Sequence, residues 1–345
     1  MKMNHYLEKF RQLLLQNRLD ALLIYANGYD DRFMRALAGT YSILQDYLLI
    51  TKTGFIISEP SYLIPETQRR TNVELIPASG EDLIIEPIIK ILGPNKRIGI
   101  IGNCRFRDVE KLNPSFTVDL TTQTDEIIRF KTDEFIERIS KSAEILAKII
   151  ETTKIISGEN QLEVDKQIKL AKIGSGSQLA FPPCVTSGND LNISTCLSPK
   201  DKHFSDSDIA CIDAGLKNDI FTTDMTRMFF VNHPRGQEIY RNLYQKHLEI
   251  LNGQITKETL FSKLIRMYQE IVETTRGVIK LLPEDFGHGI GFGLHEPPML
   301  EKTEGKIGAN IVFTIEPTFV TKFGMMRFED MVAVDSKDQV KALTA

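Results

Sequence analysis

Several things are scarce or missing in this chain of 345 residues, and each removes a class of protein. Its four cysteines, Cys104, Cys184, Cys196 and Cys211, form no C-x-x-C pair. Neither a disulfide framework nor a thiolate zinc site is expected, and a reduced, cytoplasmic setting is the simple reading. Charge of one sign is also lacking: Lys+Arg 42 against Asp+Glu 46 leaves −4, too little positive field to expect a nucleic-acid partner. No segment approaches the roughly 18 uncharged apolar residues of a membrane span. The start, Met1-Lys2-Met3-Asn4-His5-Tyr6-Leu7-Glu8-Lys9, has no apolar stretch behind its lysines, so neither a signal peptide nor a membrane partner is expected. Internal repeats and low-complexity segments are missing too.

What remains is an ordinary globular composition, 42% hydrophobic and 26% charged, at a length that suits about two domains. Leu7, Phe10, Leu13 and Leu14 recur at helical spacing and lead into Ala21-Leu22-Leu23-Ile24-Tyr25, a run of strand length. Tyr47 to Thr51 and Phe55 to Ser58 flank Lys52-Thr53-Gly54 as a hairpin, and Lys96 to Ile101 is another strand candidate. Residues 1–122 therefore form an expected α/β domain, with a second domain over 123–345. Near its start, Thr132 caps a long helix with Asp133 and Glu134 in the first turn and Ile136, Ile139, Ala143, Leu146 and Ile150 along one face. Further helices are expected near 161–173, 236–252 and 257–277, with strands and turns between and after them.

The chemistry concentrates in three places. Cys211-Ile212-Asp213-Ala214-Gly215 and Thr223-Asp224-Met225-Thr226-Arg227 flank Lys217-Asn218-Asp219 as a hairpin. With Asn218 and Asp219 at the centre of the turn, Asp213 and Asp224 face each other. Thr314-Ile315-Glu316-Pro317 and Arg327-Phe328-Glu329-Asp330 flank Lys322-Phe323-Gly324 in the same way, which sets Glu316 against Glu329. Two like charges in facing positions destabilise a sheet unless something neutralises them. Between the hairpins, Gly287-His288-Gly289-Ile290-Gly291-Phe292-Gly293-Leu294-His295 contributes one imidazole or two. It lacks the G-x-G-x-x-G spacing of a dinucleotide site. Four carboxylates carry −4 and balance two divalent cations, so an oxygen-rich dinuclear centre is expected. Mn2+ stands first among the candidates, with Co2+, Zn2+ and Fe2+ also suited.

These segments resemble the pita-bread metallopeptidases, a family that includes prolidase, aminopeptidase P, methionine aminopeptidase and the metal-free creatinase. Arg129-Phe130-Lys131-Thr132-Asp133-Glu134 resembles the opening of that catalytic domain, and Phe181-Pro182-Pro183-Cys184-Val185-Thr186-Ser187-Gly188 an early strand of it. The resemblance implies an α/β N-terminal domain of the creatinase type followed by an α+β pita-bread catalytic domain. It further implies Asp213, Asp224, His288, Glu316 and Glu329 as metal ligands. A metal-bridging water would attack the scissile carbonyl, with Glu316 as proton shuttle. His295 would hydrogen-bond the substrate or the tetrahedral intermediate, and Arg327 would position a carboxylate or the substrate. The separate N-terminal domain points to an Xaa-Pro dipeptidase or aminopeptidase acting on small peptides, working as a homodimer.

The substrate side departs from that pattern. Ser187 to Pro199 holds no histidine, and alignment on Pro199 places Cys196 where family peptidases carry a substrate-contacting imidazole. Glu284 stands four residues before His288, where enzymes with an Xaa-Pro preference often have another histidine. Two other readings follow: a pita-bread metalloenzyme acting on a non-peptide small molecule by C–N hydrolysis or elimination, and a catalytically silent binding protein.

Overall fold

The computed structural model describes residues 4–28 and 31–345, so the first three residues of the opening segment lie outside it. The chain divides into two compact units, Met1–Ile128 and Arg129–Ala345.

In the first unit, helix α1 (Asn4–Gln16), strand β1 (Ala21–Asn27) and helix α2 (Arg32–Ala38) lead into the hairpin β2 (Gln45–Thr51) and β3 (Phe55–Pro60). Helix α3 (Ile64–Gln68), β4 (Glu74–Ala78), α4 (Glu86–Leu92), β5 (Arg97–Ile101), α5 (Phe106–Leu112), β6 (Phe116–Asp119) and α6 (Thr121–Arg129) follow. The strands form one six-stranded sheet in the order β4-β3-β2-β1-β5-β6. β1 runs antiparallel to β2 and parallel to β5. Ala21, Leu22, Leu23 and Ile24 are all buried, which is why this central strand shows a continuous apolar run instead of alternation.

The second unit opens with α7 (Asp133–Thr152) and α8 (Gln161–Gly174). The Thr132 hydroxyl accepts the Phe135 N–H at 3.1 Å and caps α7 as expected. The short β7 (Gln178–Leu179) and β8 (Cys184–Ser187) then flank β9 (Ile209–Asn218), whose other edge carries β10 (Phe221–Phe230). Helices α9 (Pro234–Gly253) and α10 (Phe261–Thr274) precede β11 (Val278–Leu282), β12 (His288–Gly289), β13 (Glu296–Met299) and β14 (Ile311–Ile315). The chain ends with β15 (Thr318–Thr321), β16 (Gly324–Arg327), β17 (Asp330–Val334) and β18 (Val340–Ala342). A second sheet runs β13-β12-β14-β17-β18, and a third β11-β15-β16.

Two helix pairs back these sheets. Leu146, Ile149, Val164 and Ile168 of α7 and α8 pack on Ile212, Ala214, Leu216 and Met225. Leu243, Ile250, Leu264 and Tyr268 of α9 and α10 pack with Phe313, Ile315, Phe328, Val332 and Val334. Because side chains alternate along a strand, each apolar set facing its helices leaves the intervening positions for the opposite face, and that face carries the charged residues. Among the described residues no helix is long and apolar enough to cross a membrane. Thr132→Ala removes one capping bond and should lower unfolding stability by about 1 kcal/mol in denaturant titration. Metal content should be unchanged.

Candidate metal centre

On β9, Ile212, Ala214 and Leu216 point at α7 and α8, so Asp213 lies on the other face. The β9–β10 register differs from the sequence expectation by two. Asp213 pairs with Thr226 and Asp224 with Gly215, because Asp219 takes a positive φ of 55° and the tight turn is Asp219-Ile220. Asp213 and Asp224 are therefore diagonal neighbours, not directly opposed, and a shift of two keeps them on one face. In the second pair of strands the expected register holds. Ile315 pairs with Asp330 and Thr318 with Arg327, and Glu316 and Glu329 meet on that line where the chain passes from one sheet to the other. Glu329 also bridges to Thr226, which joins the two hairpins.

His288 enters from β12. Bulk is excluded around it: a Cβ on Gly287 would collide with the Thr314 carbonyl, and one on Gly289 with the carbonyls of Glu296 and Pro297. The Thr314 hydroxyl accepts the His288 N–H at 3.1 Å. The ring Nδ1 lies 3.0 Å from the Gly289 carbonyl, which can only accept, so Nδ1 carries the proton. The Nε2 lone pair is left facing Glu316 Oε1 at 3.5 Å and Glu329 Oε1 at 3.9 Å.

All five side chains are buried, and nearby groups fill part of their bonding capacity. Arg327 donates to Glu316 Oε2 at 2.9 Å and to Thr318 at 2.7 Å, while the Thr226 hydroxyl donates to Glu329 Oε2 at 2.9 Å. Asp213 Oδ1 and Glu329 Oε1 are buried with no hydrogen-bond partner. Buried carboxylate oxygens are costly in that state, and a hard cation would satisfy them. Asp224, His288 and Glu329 each offer an atom within 4.8 Å of the others, so the donor set fits divalent metal. His295 sits exposed at the rim, its ring centroid 4.3 Å from that of His288. Cys196, Asp285 and Met299 help line the same cleft of about 400 Å3.

Without a cation these carboxyls resist ionisation. Burial pushes Asp213, Asp224, Glu316 and Glu329 above the ordinary carboxylate range. The neighbouring negative charges add to this for Asp224, Glu316 and Glu329, and Arg327 opposes it at Asp213, Glu316 and Glu329. Burial, then His295, drives His288 down to about 3, which keeps its ring neutral and able to coordinate. Lys172, fully buried on α8, donates to the Gly215 carbonyl at 2.9 Å, and burial lowers it to about 8 against the pull of Asp224 and Asp213.

Three features were not read from the sequence. The first is a buried network behind Glu329. Alternation turns Asp330 away from the cleft, where it accepts from Arg227 at 2.5 Å and Thr344 at 2.7 Å and lies 3.0 Å from His247 Nε2. Burial alone would raise Asp330, but Arg227 and His247 outweigh it and hold the carboxyl low. His247 is completely buried, with Tyr268 OH 2.5 Å from its other nitrogen. Only the packing of α9 and α10 on β17 creates its partners. The second is Thr226, whose hydroxyl could be assigned only once the register was known. The third is a correction to the cysteines. Cys184 and Cys196 are paired as a disulfide, and Cys104 and Cys211 are free. Bonds from Val185 to Leu197 and from Leu197 to Thr186 fold residue 196 back beside residue 184, a pairing that no short cysteine spacing signals.

The model of metallopeptidase family M24 matches residues 137–336, more than half of the chain. The chain belongs to metallopeptidase family M24. An Xaa-Pro dipeptidase of Pyrococcus horikoshii is 25% identical over 99% of this chain and 97% of its own length. The solved prolidase of Pyrococcus furiosus superposes with a TM-score of 0.83 at 22% identity, covering 97% of this chain and 99% of that one. The X-Pro aminopeptidase of Thermotoga maritima gives 0.82 at 19% identity over 98% and 97%. This M24 member is thus a metallopeptidase with a creatinase-like α/β N-terminal domain and an α+β pita-bread catalytic domain.

Two tests follow. Glu316, raised to about 8 by burial, holds a proton near neutral pH in metal-free protein, and a cation must displace it. Metal loading in weak buffer should release protons, and apparent affinity should fall as pH is lowered from about 8 to about 6, read by a metal-sensitive dye. Affinity independent of pH would contradict the described electrostatics. Separately, Asp330→Asn leaves the Arg227 charge buried without its partner and should cost about 3 kcal/mol of stability in denaturant unfolding.

Proposed function

We propose that this M24 peptidase cleaves the Xaa-Pro bond of small peptides at a dinuclear centre held by Asp213, Asp224, His288, Glu316 and Glu329, with Mn2+ as the first ion to test. The observation that carries this reading is the pair of partnerless carboxylate oxygens, Asp213 Oδ1 and Glu329 Oε1, in a buried cluster with a neutral His288. Divalent ions bound there supply Lewis acidity to the scissile carbonyl and make water nucleophilic near neutral pH. Glu316 takes the water proton and passes it to the leaving amine. Arg327, on Glu316 Oε2, holds that carboxylate in place and leaves Oε1 turned toward His288. His295, at the rim beside His288, donates to the substrate carbonyl oxygen as negative charge develops.

The Xaa-Pro preference is supported by the similarity of nearly the whole chain to an Xaa-Pro dipeptidase. The altered rim favours a second reading, a metallohydrolase acting on a non-peptide C–N bond, because Cys196, at the position where the resemblance puts an imidazole in family peptidases, is tied to Cys184.

Elemental analysis of purified protein, read beside turnover of an Xaa-Pro peptide panel with and without Mn2+, separates the two. About two metals per chain with turnover supports the first reading. Two metals without turnover on any peptide favours the second, and failure to retain metal under any loading overturns the ligand set. Asp224→Asn should reduce both metal content and turnover, the latter at least ~100-fold.

A further inference from the structure

Two sulfur atoms lie beside the carboxylate cluster, and the proposed hydrolysis uses neither. Cys184 begins β8 and is the register partner of Asp213 on β9. Cys196 follows the 3-10 turn Gly188–Asn192, with its Cα 5.1 Å from that of Cys184. Cys184 is buried, whereas Cys196 is exposed and lines the cleft. Both Sγ atoms and a carboxylate oxygen of Asp213 lie within 4.8 Å of one another. Asp213 is itself only 7% exposed, and its Oδ1 has no hydrogen-bond partner.

We propose that the reduced Cys184–Cys196 pair, completed by Asp213, is a separate soft-cation site for one thiophilic divalent ion such as Zn2+ or Cd2+, and that disulfide formation abolishes it. Thiolate sulfur selects soft metals, whereas the oxygen-rich cluster next to it suits harder ones. A carboxylate offers about four lone-pair sites, so Asp213 can serve both neighbours. The exposed Cys196 gives a reductant or a cation its approach.

Interconversion is thiol–disulfide exchange. A thiolate of a small dithiol attacks the Cys196 sulfur, the S–S bond breaks, and Cys184 leaves with the electron pair and takes a proton. The second thiol of the reagent then displaces Cys196 and departs as a cyclic disulfide. Two electrons and two protons have passed to the protein, and a low-molecular-weight disulfide reverses the exchange. When the cation binds, each protein thiol gives its proton to solvent.

The site depends on the proposed function only for its location, so the test reads sulfur ligation. Full-length protein is loaded with Mn2+, reduced with a small dithiol, freed of reagent without oxygen and titrated with Cd2+. The ultraviolet thiolate-to-cadmium charge-transfer band is followed. The expected result is a band that saturates at one Cd2+ per chain in the reduced protein and in Cys104→Ser, and that is absent after oxidation with a small disulfide. Cys196→Ser, a change at an exposed position, should weaken Cd2+ binding at least about tenfold. Cys184→Ser should do the same if it folds, as judged by circular dichroism. No band in reduced protein, or undiminished binding in Cys196→Ser, would overturn the proposal. The five oxygen and nitrogen donors give no such band, so failure to retain Mn2+ would count against the dinuclear reading alone.

Discussion

Four buried carboxylates sharing one cleft with a neutral imidazole form the interaction on which the catalytic unit depends. Burial opposes the ionised form of each, and repulsion from neighbouring carboxylates adds to this at Asp224, Glu316 and Glu329. Taking an unpaired carboxylate out of water costs several kcal/mol even after relaxation. Arg327 reaches three of the four electrostatically and donates a hydrogen bond to Glu316 among them, and Lys172 acts from behind Gly215. Strands and helices packed tightly enough to keep these groups together have in effect been built around missing positive charge. The energetic logic of a metallopeptidase is therefore present in the protein part alone.

Strand alternation lets one backbone serve two incompatible environments. On β9 the even positions form apolar core under α7 and α8 while Asp213 turns to the cleft. At the start of β17, Glu329 turns to the cleft and Asp330 to the helices. The Arg227–Asp330–His247–Tyr268 network then ties β10, β17, α9 and α10 together directly behind the carboxylate cluster. Arg227 also donates to the backbone carbonyl of Glu329 at 2.8 Å, so the same guanidinium that neutralises Asp330 fixes the chain that presents Glu329. Stability and site geometry are coupled through that one side chain.

Residues far apart in the chain were legible wherever the pattern behind them was local. The helix over 133–152, its Thr132 cap and the hairpin carrying Glu316 and Glu329 all rest on spacing within a few residues. The Asp213–Asp224 hairpin was legible in parity but not in register, because the choice between Asn218-Asp219 and Asp219-Ile220 as the turn is a small local difference that the whole sheet settles. The role of His247 and the cysteine pairing were not legible for a different reason. Their partners, Asp330 at a separation of 83 residues and Cys184 at 12, come into reach only through closure of the chain.

By itself the sequence determined the acidic and imidazole residues, the faces they occupy and the two-part organisation, since periodicity and turn chemistry operate within one element. Tertiary structure decided which of these groups meet: the diagonal offset of Asp213 and Asp224, Arg327 on Glu316, the burial of His247 and the two sulfurs beside Asp213. Contacts between elements depend on how sheets and helices pack over long separations, and the local code carries no term for that distance.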